Sequence, residues 1–121
     1  MSYIYINENK IEIKTDKDTS LKNLQKLVGG YFTFFPVNQN ANSDSLVFLV
    51  NEEAILKEME INYLAISAIL KLKLHNPNVS GQYHGPVIFG PMIIFTHGQN
   101  DIKLMDSNLL KKILSKIKET K

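Results

Sequence analysis

Apolar and polar positions change period several times along the chain. Residues 10–14, Lys-Ile-Glu-Ile-Lys, alternate strictly, and Tyr3-Ile4-Tyr5-Ile6 precedes them across Asn7-Glu8-Asn9. Two short strands around an Asn-bearing turn predict a hairpin. Ser20 is a suitable N-cap for a helix with Leu21, Leu24, Leu27 and Val28 on one side, and Gly29 suits the left-handed position that ends it. The aromatic run Tyr31–Phe35 predicts a strand closed by Pro36, and 38–45 a polar loop. Leu46–Val50 predicts a strand, Asn51-Glu52-Glu53 a turn and Ala54–Lys57 a return strand.

Ile61–Leu74 places Ile61, Leu64, Ala65, Ala68, Ile69 and Leu72 at the spacing of a helix of about four turns. Pro77 and its neighbouring asparagines stop it, and 78–86 is a loop. Val87–Phe89 and Met92–Phe95 are strand material interrupted by Gly90-Pro91. Asp106 or Ser107 caps a final amphipathic helix, about 106–119, with lysines opposite its leucines and isoleucines. No repeat or long linker divides the chain, so 1–121 reads as one domain. The order ββαβββαβα predicts an α+β fold: an antiparallel or mixed sheet with about three helices packed on one face.

Composition narrows the chemistry. With 121 residues, 44% of them hydrophobic, the chain can bury a core without a disulfide or a metal. It has no cysteine, which removes thiol nucleophiles, disulfides, iron–sulfur clusters and cysteine zinc sites. No apolar run is long enough to span a bilayer, and the N-terminal residues lack the order of a secretory signal. A soluble, cytoplasmic protein without a membrane partner is expected.

All 14 basic residues are lysine. Any bound anion must therefore be held by point charges, backbone N–H groups or neutral side chains rather than by a guanidinium fork. Residues 1–100 carry 8 Lys against 9 Asp plus Glu, and 101–121 carry 6 against 3. A near-neutral body with a basic tail argues against nucleic acid as a target.

Catalytic signatures are sparse. His75, His84 and His97 lack the spacing of a helical metal site, so no metal is expected. Gly85-Pro86 and Gly90-Pro91 place a ring where a phosphate cradle needs N–H donors. Glu52-Glu53 and the pair Glu58 and Glu60 are the remaining acid–base candidates, but neighbouring carboxylates in an exposed turn share one environment, whereas acid–base catalysis needs two. No catalytic residue, no cofactor and no enzymatic activity are expected. The lysines of the last helix, Lys111, Lys112, Lys116 and Lys118, read as a solvated face opposite a packing stripe. Tyr31 after Gly29-Gly30, and Tyr83 and His84 between Gly81 and Gly85, set aromatic rings beside glycine-flanked backbone, as a stacked planar ligand would require; core packing is the plainer role for Tyr31.

Four segments speak together: Leu24-Gln25-Lys26-Leu27-Val28-Gly29-Gly30-Tyr31, Val50-Asn51-Glu52-Glu53, Asn62-Tyr63-Leu64-Ala65 and Gly85-Pro86-Val87-Ile88-Phe89-Gly90. In this order they resemble an uncharacterised family common in bacteriophages and mobile elements, with LQxLVGGY, VNEE, N-x-[LA]-A and G-[PD]-V-x-[FV]-G motifs, over about residues 20–97. Members often carry Glu two positions after the Tyr, where this chain has Thr33. The resemblance implies an accessory protein acting inside a bacterial cell and carries over no activity.

The leading expectation is a non-enzymatic, anti-defence sponge that sequesters an anionic, nucleotide-like signalling molecule, as a homo-oligomer with pockets at subunit junctions. Its ligand-binding residues would be Gln25, Lys26, Gly30, Tyr31, Asn51, Glu52, Asn62, Tyr83 and His84: the tyrosines stack, Gln25, Asn51 and Asn62 hydrogen-bond, and Lys26 supplies charge. The plainer role for the asparagines is turn stabilisation and helix capping. The alternatives are a protein–protein inhibitor of a host defence factor, and a hydrolase of the signal resting on Glu52 and Glu53.

Overall fold

A computed structural model of the chain describes residues 2–15, 20–38, 42, 44–74, 87–97 and 102–118. The fold is α+β. The elements are β1 (Tyr3–Ile6), β2 (Ile11–Lys14), α1 (Leu21–Val28), β3 (Phe32–Phe34), β4 (Leu46–Asn51), α2 (Tyr63–Lys71), β5 (Met92–His97), β6 (Ile102–Lys103) and α3 (Ser107–Ile117).

The strands form one antiparallel sheet in the order β2-β1-β5-β4-β3, with β6 pairing β5 off that path. The Asn7 side-chain oxygen accepts from the N–H groups of Asn9 and Lys10 at 2.8 and 2.9 Å, which fixes the predicted hairpin. β1 lies against Met92–Ile94 of β5, and β6 against Thr96 and His97 farther along. β2 and β3 are the two ends of the path.

The helices occupy both faces of this sheet, not one. Ile4, Ile6, Phe48, Val50, Met92 and Ile94 pack with Ala65, Ala68 and Ile69 of α2 and Ile113 and Ile117 of α3. Tyr3, Leu49, Ile93 and Phe95 point the other way and pack with Leu24 and Val28 of α1. Successive strand residues face opposite sides. Uninterrupted runs such as Leu46–Val50 and Met92–Phe95 therefore need cover on both. On the α1 face, the rings of Tyr3 and Phe95 stack with centroids 4.9 Å apart.

One predicted strand is not formed, and the strand material over 87–95 is formed only in its second part. Ala54–Lys57 is a helical turn: Lys57 N–H donates to Glu53 at 2.9 Å and Met59 N–H to Ala54 at 3.0 Å. Ala54 is buried while Ile55 and Leu56 are exposed, so the apolar run has no sheet neighbour. Phe89 makes one bridge, to Ile61, and Val87 and Ile88 lie outside any strand. The sheet instead gains the short β6. The order is ββαββαββα.

Helix α2 runs only from Tyr63 to Lys71, and it starts later than the periodicity predicts because Asn62 caps it: its side-chain oxygen accepts from Ala65 N–H at 3.0 Å. Asp106 does the same for α3 through Leu109 N–H at 2.8 Å. The loop predicted over 78–86 lies outside the described residues. Among the described residues no helix is long and apolar enough to cross a membrane.

Candidate functional site

Two of the four motif segments meet around the C-terminal end of α1, and a third is linked to them through Met59. A helix leaves its last carbonyls without intrahelical partners. Here Gly29, left-handed at φ 87°, turns the chain so that the N–H groups of Gly29 and Gly30 both donate to Gln25, at 2.9 and 2.8 Å. The carbonyls of Val28 and Gly29, the last of the helix and its cap, are taken by the following motif and its turn. Asn51 Nδ2 donates to Val28 at 2.9 Å, and Lys57 Nζ donates to Gly29 at 3.0 Å. Asn51 Oδ1 accepts from Glu53 N–H at 2.7 Å, and Glu52 N–H donates to the Tyr31 carbonyl at 2.9 Å. The helix end and the turn after β4 therefore satisfy each other's polar groups. The Lys57 ammonium also lies at the helix end where the macrodipole favours a cation.

Met59 links this junction to the last motif. A β-carbon on Gly29 would stand 3.0 Å from Met59 Cε, and one on Gly90 would stand 2.6 Å from Met59 Sδ. Both glycines leave room for the thioether, and both hold positive φ angles. Beyond Met59, Gly90 N–H donates to Glu60 at 2.9 Å and Asn62 N–H to Ile88 at 2.7 Å. Asn62 Nδ2 donates to Ile6 at 3.0 Å and to Gly90 at 2.8 Å.

Among the residues predicted to bind a ligand, Gly30, Tyr31, Asn51 and Glu52 are brought together, with Gln25 and Lys26 in the last turn of α1 beside them. Asn62 stands apart, at the start of α2. Asn51 and Asn62 are buried, and their side chains are engaged with backbone groups. They hold the fold, which is the plainer role weighed for them. The Gly30 N–H is occupied by Gln25 and does not point at a free site. Tyr31 is 65% exposed, so it is not a core residue. Lys26 and Glu52 are exposed. Tyr83 and His84 lie outside the described residues. The sequence reading missed Lys57 and Met59; the signal available for Met59 was its need for two neighbours without a β-carbon.

The same turn forms one wall of a cleft of about 160 Å³ lined by residues including Glu52, Glu53, Ile55, Leu56, Val87 and Ile88. Ile55, Leu56 and Val87 are 72%, 81% and 55% exposed. Two carboxylates and no lysine line this cleft. Among the described residues no group of three or more His, Cys, Asp or Glu side chains is placed to hold a metal ion.

The model of one protein family matches residues 1–118, nearly the whole chain. The chain belongs to the DUF3846 family, a domain of unknown function. The match extends past both ends of the span 20–97 over which the motifs were recognised, taking in the β1–β2 hairpin and α3. No curated protein and no solved structure matches the chain.

Proposed function

We propose that this DUF3846 protein acts by stoichiometric binding, without catalysis, and that the cleft beside the Glu52–Glu58 turn is its contact surface. The observation that carries the reading is the pair Ile55 and Leu56, 72% and 81% exposed on a turn closed by its own backbone hydrogen bonds. A single exposed leucine is ordinary. Two adjacent aliphatic side chains, held on a fixed turn and facing Val87 across a cleft, form the contiguous apolar surface that marks a contact site.

Charge selects the partner. Glu52 and Glu53 line the cleft and Glu58 lies in the same turn, while the turn's one lysine, Lys57, is not among the lining residues and donates to Gly29, so an anionic nucleotide would meet repulsion there. A protein segment that offers an aliphatic side chain flanked by lysine or arginine complements it. This favours the protein–protein inhibitor, an accessory protein that occupies a host factor, over the sponge.

A second reading keeps the nucleotide-like signal at a different place. Tyr31 is 65% exposed, and the Lys57 ammonium lies against Gly30, its neighbour in the chain. An exposed ring and a cation held at the adjoining residue suit a planar anion.

Calorimetric titration with cyclic and ADP-ribose-type nucleotides, run beside affinity capture from a bacterial lysate with wild type and Leu56→Asp, separates the readings. A host protein retained by wild type and lost with Leu56→Asp supports the first. Tight nucleotide binding, abolished by Tyr31→Ala and with the ligand recovered intact, transfers the function to the second. Consumption of the nucleotide overturns both in favour of a hydrolase.

A further inference from the structure

The two ends of the sheet differ in a way that bears on self-association. An edge strand exposes unpaired N–H and C=O groups, and proteins blunt such edges with charge. β2 follows that rule: Glu12 lies 3.7 and 3.8 Å from the ammonium groups of Lys10 and Lys14, so the edge is flanked by charges of both signs. β3 does not. Tyr31-Phe32-Thr33-Phe34-Phe35 carries no charge, and Tyr31 and Phe34 are 65% and 59% exposed. Among the described residues β3 pairs only with β4.

The register shows which backbone groups remain. Thr33 opposes Val50, Glu52 N–H donates to Tyr31, and Phe35 N–H donates to Phe48. Hydrogen-bonded positions alternate along an antiparallel strand. Tyr31, Thr33 and Phe35 therefore turn their backbone groups toward β4, while Phe32 and Phe34 turn theirs outward.

We infer that β3 is a homodimer edge, taken by β3 of a second copy of this chain in antiparallel register about a twofold axis at Thr33. This register is self-complementary. Phe32 exchanges N–H and C=O bonds with the partner's Phe34, and Phe34 does so with the partner's Phe32. Every outward group of the strand is then satisfied, and the two sheets become one. Phe32 and the partner's Phe34 stand directly opposite as a cross-strand aromatic pair, the kind that stabilises sheets, and the exposed Phe34 ring is covered. Thr33 faces the partner's Thr33 as a non-hydrogen-bonded pair, the closest approach of side chains in such a ladder. The occupant is a copy rather than a foreign strand because the edge offers only two outward residues, and the twofold register uses both with the same side chains on each side. The inference is independent of what the cleft binds.

Thr33 is exposed, so a charge there leaves the core intact. Light scattering on the eluting full-length chain should give wild type at twice the 13.8 kDa chain mass. Thr33→Lys and Thr33→Glu, each with a wild-type far-ultraviolet circular dichroism spectrum, should each fall to the single-chain mass because like charges oppose across the axis. An equimolar mixture of the two should recover the doubled mass. Ile13→Lys on the opposite edge should leave the dimer unchanged. A monomeric wild type, single-charge variants that stay dimeric, a mixture that stays monomeric, or loss of the dimer in Ile13→Lys would each overturn the assignment.

Discussion

Asn62 Nδ2 donates to the carbonyl of Gly90 at 2.8 Å and to that of Ile6 at 3.0 Å, while its side-chain oxygen caps α2. One fully buried amide thus ties the start of α2 to the end of β1 and to the chain entering β5. Asn62→Ala removes the cap and leaves two carbonyls without these partners. The expected loss is about 2–4 kcal/mol, from an unsatisfied buried group at roughly 1–3 kcal/mol and a cap at roughly 1 kcal/mol. Urea unfolding followed by circular dichroism measures it, and a loss below about 1 kcal/mol would show that the network is not what holds α2.

Asn51 and Lys57 both satisfy the end of α1, but from different environments. Asn51 is buried and Lys57 is exposed. Asn51→Ala should cost about 1–3 kcal/mol, and Lys57→Ala about 0.3–1 kcal/mol, the size of a cation at a solvated helix C-terminus. The order of the two midpoints in parallel urea titrations is the test. The Lys57 effect should also shrink at high salt, whereas the Asn51 effect should not.

Gly29 and Gly90 press on different parts of Met59. At Gly29 the contact is the terminal methyl, which can swing aside; at Gly90 it is the sulfur, with Cβ and Cγ close behind. Gly90→Ala should therefore destabilise more than Gly29→Ala, although both carry the strain of a positive φ, about 1–3 kcal/mol. Met59→Ala should recover part of the Gly90→Ala loss and leave the strain. Thermal unfolding of the single and double variants reads this coupling, and strictly additive effects would mean that the thioether is not the obstacle.

Tyr5 carries a pH dependence. Partial burial, followed by the carboxylates of Glu8 and Glu12, pushes its phenol above the ordinary value of 10.0, against a hydrogen bond from Asn7 that pulls it down. The folded state therefore keeps the proton longer than the unfolded chain does. Its contribution is complete below pH 10 and is lost as the pH rises through the folded value. Wild type should lose stability more steeply than Tyr5→Phe above pH 10. Denaturant midpoints for the two proteins between pH 8 and pH 11 should diverge only at the alkaline end.

Local pattern made much of this architecture legible. The alternation of residues 10–14, the Ser20 and Asp106 caps and the Gly29 stop depend on interactions within a few positions, and the structure places them as expected. The α+β class follows from them. The candidate site was legible only as a neighbourhood. Gly30, Tyr31, Asn51 and Glu52 do meet, but which of their polar groups remain available depends on partners far along the chain. The Asn51 amide finds Val28, 23 positions away, and Asn62 finds Ile6, 56 positions away.

What the chain determined alone was therefore set by its nearest-neighbour chemistry: the periods, the caps, the turns, and the absence of cysteine and arginine. Tertiary structure decided what no short window holds. Apolar runs at Leu46–Val50 and Ala54–Lys57 look alike in sequence, yet one pairs in the sheet centre and the other coils into an exposed turn. The difference arises because strand pairing needs a vacant neighbouring edge. β4 was already flanked by β3 and β5, so Ala54–Lys57 had no edge of that strand left to join.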